Sequence, residues 1–492
     1  MQTPPLDEIT LLQQRKPSEG GAKAESLEET RSGIAWWMWV ATGVLFLAYA
    51  AVSLRLHERL LSNSYDLGIF DQAVRSYASG HLPVSELKGP GYPLLGDHFH
   101  PVLALLAPFY LLWPSAETLL VAQAALIAVS ALPLAVWARR ELGDLAAGVI
   151  MACYGMSWGI ASAVGFDFHE VAFAAPLLAF SMAALGTGRL RAAVYWALPL
   201  LLVKEDLGIT VAVIGLLVAR RGDRKLGITT AVAGMGASIL TVFVIIPAFN
   251  PHGTYEYWNL RIGMDGDGDG PLLLGLLYKV TVGLITPEVK ATTLIQLLAP
   301  TLFLALRSPL LLVALPTIAW RFISSYTPYW GTGYHVSLTL MPIVFAAFIE
   351  ALIRRRSNVS SVRRYVAGAA AVSLLLLPQY PLWELVQPAT WRHDPRVAVA
   401  EKLMDRIPRN ATVQASTYLV PHLTNRTSVS LYGWSQSRPD PEWIMVDTWV
   451  APALRWPLDY ATEKAMLDRD RAHGYRVAAD VSGFVLLRRS VR

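Results

Sequence analysis

Apolar runs of membrane-crossing or near-crossing length recur along this chain, and arginines cluster at every second break between them. The runs at 34–56, 118–138, 145–164, 171–185, 192–203, 207–219, 226–248, 291–306, 309–320, 338–353 and 365–377 amount to about eleven helical spans of a multi-pass α-helical membrane protein. A further run at 102–113 is too short to cross and is punctuated by Pro101, Pro108 and Pro114, so it reads as a re-entrant or surface-lying helix. Arg139 and Arg140, Arg189 and Arg191, Arg220 to Lys225, Arg307, and Arg354 to Arg364 then all fall on one side. The positive-inside rule makes that side cytoplasmic, which puts the N-terminus inside and the C-terminus outside.

Composition closes off the competing classes. With 54% hydrophobic and 16% charged residues, the chain is too apolar for an ordinary soluble protein, and the lipid bilayer is its first partner. A net charge of +5 is concentrated in short loops between apolar runs, the pattern of cytoplasmic loops and not of a nucleic-acid surface. The single cysteine, Cys153, lies in an apolar run and excludes an intramolecular disulfide. Residues 1–33 are polar and aperiodic, as expected of a disordered cytoplasmic tail.

The unusual polar residues gather at the opposite, outer ends of the spans. The loop at 57–101 opens with Tyr65-Asp66-Leu67-Gly68-Ile69-Phe70-Asp71-Gln72 and closes with Gly96-Asp97-His98-Phe99-His100-Pro101. Other outer ends carry Phe166-Asp167-Phe168-His169-Glu170, Lys204-Glu205-Asp206, Tyr255-Glu256-Tyr257-Trp258, and Tyr334-His335. Ionisable groups at a membrane boundary lose hydration and favour pairing with a partner, a metal or a charged substrate. A transporter would place such groups near the midplane of two related halves, and no internal repeat is visible. One-sided clustering suits an enzyme fed from the outer leaflet, with the 57–101 loop as its active-site loop.

Each group also has a plainer role. Asp97, His98, His100 and His169, with Glu170, offer the donors that Zn²⁺ or Mn²⁺ takes, so a divalent metal is the one candidate cofactor; loop capping and hydrogen bonding compete with it. Asp71 could cap a juxtamembrane helix. The acidic glycine repeat at 265–270 copies half a calcium loop, but Leu276 stands where the bidentate Glu belongs. The aromatic cluster from Tyr255 to Trp258 could stack on sugar or serve as an interfacial belt.

From about Trp391 the composition changes. Helical patterns at 397–407 and 418–423 alternate with strand patterns at 412–415, 428–432, 443–446, 475–479 and 483–487. The segment 381–492 is therefore expected to form a small extracytoplasmic α/β domain after the membrane domain of residues 34–380.

The order of Tyr65 to Gln72, Gly96 to Pro101, Asp167-Phe168-His169-Glu170, Lys204-Glu205-Asp206, Gly333-Tyr334-His335 and Tyr418-Leu419-Val420-Pro421-His422-Leu423 resembles a domain-of-unknown-function family of predicted multi-pass membrane proteins. By architecture that family is similar to the C-type (GT-C) glycosyltransferases. This resemblance implies a polyprenyl-phosphate-linked sugar as donor, a glycan, lipid or protein acceptor outside the cytoplasm, and an essential acid in the first outer loop. Asp66 matches that position. His100-Pro101 partly matches the His-Pro-Pro step of protein mannosyltransferases, with Val102 in place of the second proline.

Sugar transfer from a lipid phosphate to a hydroxyl needs a base at the acceptor and a cation or metal at the departing phosphate. Asp66 is the first candidate base, with Asp97 and Asp167 as alternates. Lys204 is the candidate for the phosphate, against a structural ion pair with its acidic neighbours. Tyr65, His100, His169, Glu170 and His335 are the further substrate-binding candidates. A transporter or permease, or a non-catalytic outer-surface binding protein, are the alternatives.

Overall fold

The structure, a computed structural model, describes residues 34–257 and 277–490. The expected tail at 1–33, the acidic glycine repeat at 265–270 and Trp258 lie outside the described residues.

Among the described residues, four helices are long and apolar enough to cross a membrane: Trp36–Glu58, Glu117–Leu142, Arg224–Phe249 and Val359–Gln379. The run expected as one span at 145–164 is a bent pair of helices, Asp144–Gly155 followed by Trp158–Val164 at 45°. Its break has a local cause. Gly155 faces Leu45 so closely that a Cβ would come within 2.6 Å of it, and Tyr49 donates its hydroxyl to the Gly155 carbonyl at 2.7 Å, giving that group a partner where the helix stops. The run at 291–306 is also interrupted: the helix Glu288–Leu298 ends before Pro300, and Leu302 and Phe303 take left-handed φ values of 49° and 59°. Shorter apolar helices, among them Pro101–Leu112, Leu207–Arg220 and Leu340–Ile353, pack around these. Cys153 is a buried core residue.

Beyond residue 395 the chain forms a five-stranded sheet. With Val84–Ser85 and Tyr92–Pro93 as β1 and β2 in the first loop, its strands are β3 (Thr412–Ala415), β4 (Ser428–Leu431), β5 (Trp443–Asp447), β6 (Tyr475–Val481) and β7 (Phe484–Arg489). The order is β4-β3-β5-β7-β6, with β3 parallel to β4 and β5, and β7 antiparallel to β5 and β6. The strand β5 is buried along its whole length, as a central strand covered on both faces must be. One cover is the helix Tyr460–Ala472, which apolar periodicity did not announce; Asp459 caps it by accepting the Thr462 N–H at 2.8 Å.

The sheet shares one hydrophobic core with the helices, running from Met38 to Leu486. Polar clamps fix the first loop upon it. Gln72 donates to the Val429 carbonyl at 2.8 Å, Arg75 donates to the carbonyls of Thr424 and Thr427 at 2.7 and 2.9 Å, and Ser64 pairs with Thr417 at 2.8 Å. The segment carrying Asp66 is thus held between helices and sheet.

Candidate active site

The first helix ends in a turn that aims the chain at this site. Leu61 N–H donates to the Leu56 carbonyl at 3.0 Å, and Leu60 takes the left-handed conformation (φ 57°) that usually falls to glycine in this position. A leucine held there costs about 1 kcal/mol, a strain that clusters at functional sites. A single π-helical turn, Ser64–Gly68, follows and leads into the helix Ile69–Ala78. Asp66 lies in the middle of it, a position that such turns often give to functional residues. Neither Asp66 nor Asp71 caps that helix: its N-cap is Gly68 and no side chain takes the role. The capping expectation for Asp71 is corrected: Asp71 is buried inside the helix, where its carboxylate accepts from the Tyr110 hydroxyl at 3.2 Å.

His169 Nε2 stands 2.9 Å from Asp66 Oδ1. The His169 ring stacks on that of His335 with centroids 3.4 Å apart, and Phe70 and Phe166 pack against it as well. This packing leaves the imidazole one orientation. Asp66 keeps 26% of its side chain accessible, whereas Asp97 and Asp167 are buried.

Asp97 is held by Lys88 at 3.0 Å and by the Tyr257 hydroxyl at 2.8 Å. Burial alone would raise its pKa; the Lys88 ammonium and His98 outweigh burial and hold the carboxyl below its usual range. Gly96 fixes the approach, since a Cβ there would stand 2.5 Å from the Asn250 backbone nitrogen. Asp167 has φ 52° and accepts the Asn63 N–H at 2.7 Å. Burial and then the Asp66 charge push its carboxyl up to about 7, against the pull of the Asn63 N–H and the Ser62 hydroxyl. Tyr65 meets Trp434 and Trp456 edge-on at 5.6 and 4.9 Å, and Lys88 lies 5.7 Å from the centre of its ring.

Lys204 donates to Glu170 at 2.6 Å. Burial would lower its pKa, but the carboxylates of Glu170, Glu205 and Asp206 outweigh burial and raise it, so Lys204 stays charged. Beside it, Glu205 accepts from His98 at 2.8 Å and from the Tyr255 hydroxyl at 3.0 Å. Lys204, His98 and His335 line one narrow cavity with Trp320 and Tyr329. Around this network, Glu170 Oε2 and the Nδ1 atoms of His100, His169 and His335 are buried with no hydrogen-bond partner among the described residues. Each such group costs about 1–3 kcal/mol unless water or a ligand meets it.

The proposed metal ligands Asp97, His98, His100 and His169 do not form a ligand set. Among the described residues no group of three or more His, Cys, Asp or Glu side chains could hold a metal ion. The physical reason is pairing: Asp97 is turned to Lys88, His98 to Glu205 and His169 to Asp66.

The sequence analysis does not name Lys88, and it gives Tyr255 and Tyr257 other roles than the ones the structure shows. Lys88 had a signal, as a lone lysine inside the acidic first loop. The tyrosines were weighed as sugar platform or interfacial belt, yet their hydroxyls serve the buried carboxylates Glu205 and Asp97.

A comparison with curated proteins finds no match. Among solved structures the chain is similar to ArnT from Cupriavidus metallidurans bound to undecaprenyl phosphate, with 14% identity, a TM-score of 0.52, and coverage of 92% of this chain and 98% of that one. The apo state of the same ArnT matches with 14% identity and a TM-score of 0.47, covering 91% of this chain and 98% of that one. The first of these likenesses extends over both the helices and the sheet and establishes the GT-C type of fold. A family model covers residues 56–486, from the end of the first helix to the last strand, and the chain belongs to that family, the predicted membrane proteins of DUF2079.

Proposed function

We propose that this protein is an integral membrane glycosyltransferase that moves a sugar from a polyprenyl-phosphate donor to a hydroxyl of an extracytoplasmic acceptor, with Asp66 as the base. The observation that carries the reading is the Asp66–His169 pair: a carboxylate with an accessible edge, oriented by a packed imidazole, directly after the first membrane-length helix. The fold likeness to an ArnT that binds undecaprenyl phosphate supports the donor class.

In the reaction the acceptor oxygen attacks the anomeric carbon as its proton passes to Asp66. The bond from that carbon to the phosphate oxygen breaks, and the electron pair leaves with the polyprenyl phosphate. His169 is a positioning residue, since it acts through Asp66. For the leaving phosphate Lys88 is the stronger cation: one carboxylate, Asp97, stands against it, whereas three crowd Lys204. Lys204 then ties the Glu170 and Glu205 segments together. About eleven spans, a cytoplasmic N-terminus and an outer C-terminal domain complete the proposal.

The test is turnover of radiolabelled polyprenyl-phosphate sugars by purified protein in nanodiscs. Donor consumption with release of polyprenyl phosphate is expected from the wild type and not from Asp66→Asn. No consumption across a broad donor panel would overturn the reading and favour transport.

A further inference from the structure

A second polar cleft, of about 420 Å³, lies at the seam between the end of the first helix and the sheet. That volume is within the usual range for small-ligand sites. Arg59, Arg392, His393 and Arg396 line it together with Tyr418 and Trp449. Of its two carboxylates, Asp447 pairs with Arg396, and Asp394 accepts the Arg396 N–H at 2.9 Å as a helix cap while keeping its charge. The Arg59 and Arg392 guanidinium groups make no ion pair or hydrogen bond among the described residues. Three guanidinium groups therefore stand against two carboxylates around one concavity, a positive excess that suits a phosphate or carboxylate. Trp449, 63% exposed, adds an apolar ring of the kind that packs against a sugar.

Along the chain the cleft adjoins the segments that hold the candidate acids. Its floor is the strained Leu60 with Leu61, and the next two residues, Ser62 and Asn63, are those that hold Asp167. Its wall residue Tyr418 follows Thr417, whose hydroxyl bonds Ser64, two residues before Asp66. Leu60 in the cleft lining and Asp167 in the site are both left-handed non-glycine residues.

We propose that this cleft binds the acceptor, and that the acceptor is a saccharide bearing a phosphate or carboxylate. The inference rests on the transferase reading, which it deepens by naming the acceptor class. The probe is fluorescently labelled maltotetraose phosphate, with labelled maltotetraose as the uncharged control, titrated by anisotropy against protein in phosphatidylcholine nanodiscs. The phosphorylated probe is expected to bind about tenfold or more tightly than the control, and R59Q/R392Q to abolish that difference while thermal stability stays unchanged. Equal binding of the two probes, or an R59Q/R392Q protein that still prefers phosphate, would overturn the inference. Displacement of the probe when phosphatidylglycerol replaces phosphatidylcholine would overturn the saccharide assignment in favour of a lipid headgroup. Failure of all donor turnover with this binding intact would remove the transferase reading and leave the anionic-saccharide cleft standing.

Discussion

His169 and Asp66 meet at 2.9 Å although 103 residues separate them, and the His335 ring stacked on His169 fixes the angle at which they meet. His169 Nε2–H donates to the Asp66 carboxylate, and Nδ1, on the other side of the ring, is buried and unpartnered among the described residues. Asp66 is thereby aimed without being enclosed.

Asp66→Asn keeps an oxygen for His169 to donate to but removes both the negative charge and the proton acceptor. Turnover of a polyprenyl-phosphate sugar should fall about 10²-fold or more. Because Asp66 caps no helix, thermal unfolding should match the wild type. A well-folded Asp66→Asn protein with full activity would eliminate Asp66 as the base.

The role of His169 as a positioning residue separates kcat from KM. His169→Phe preserves ring packing against His335 but cannot donate to Asp66, and kcat should drop about tenfold with KM little changed. His169→Gln restores a donor and should recover part of the loss. Equal activity of the two variants would show that the ring packing alone matters.

Much of this arrangement was legible from the chain, and the limits were physical. Outer-end polar motifs stood out because carboxylates and imidazoles are costly beside lipid, and Asp66, Asp97, His169 and Lys204 were singled out on that ground. Their partners were not legible, since the contacts of Asp66 with His169 and of Asp97 with Lys88 arise only when loops meet in space. The strands at 412–415, 428–431 and 443–447 showed as short β-rich runs. The helix Tyr460–Ala472 hid because it is mostly polar and buries only Leu467. Breaks at Gly155 and at Leu302 escaped a reading by hydropathy, which measures apolar length and not backbone direction.

Gly96 offers a test of how tightly the Asp97 segment is seated. Its carbonyl accepts from the Asn250 side chain at 2.9 Å, and a Cβ would meet backbone atoms of Phe249 and Asn250 at 2.5 to 2.6 Å. Backbone cannot rotate away as a side chain can. Gly96→Ala should lose about 1–3 kcal/mol, read as a fall of several degrees in Tm, and should weaken activity through displaced Asp97. An unchanged Tm would mean that the two segments are not so close.

Membrane orientation can be tested independently of chemistry. A tag after Arg492 should be reached by an impermeant label on intact cells, and a tag at Met1 only after permeabilisation. The arginines at 139, 189, 220, 307 and 354 motivate this expectation. A cytoplasmic C-terminal tag would reverse the topology and move the Asp66 site to the inner face.

Asp167 should make stability depend on pH in a direction opposite to that of an ordinary ion-paired carboxylate. Its carboxyl is pushed from 3.8 up to about 7, first by burial and then by Asp66. Between those values the folded protein retains a proton that the unfolded chain has released, so stability falls as pH rises through this window and levels off above it. The slope is at most roughly 1.4 kcal/mol per pH unit for one group. Asp71, raised to about 7 chiefly by burial, adds a slope of the same sign. Asp167→Asn still offers an oxygen to the Asn63 N–H and tolerates the left-handed backbone, so it should fold. Thermal midpoints measured from pH 5 to pH 8 should decline more steeply for the wild type than for Asp167→Asn, and be flattest for Asp71→Asn combined with Asp167→Asn. Identical slopes in the wild type and Asp167→Asn would mean that Asp167 is already ionised at pH 5, with its charge compensated by hydrogen bonds stronger than its burial.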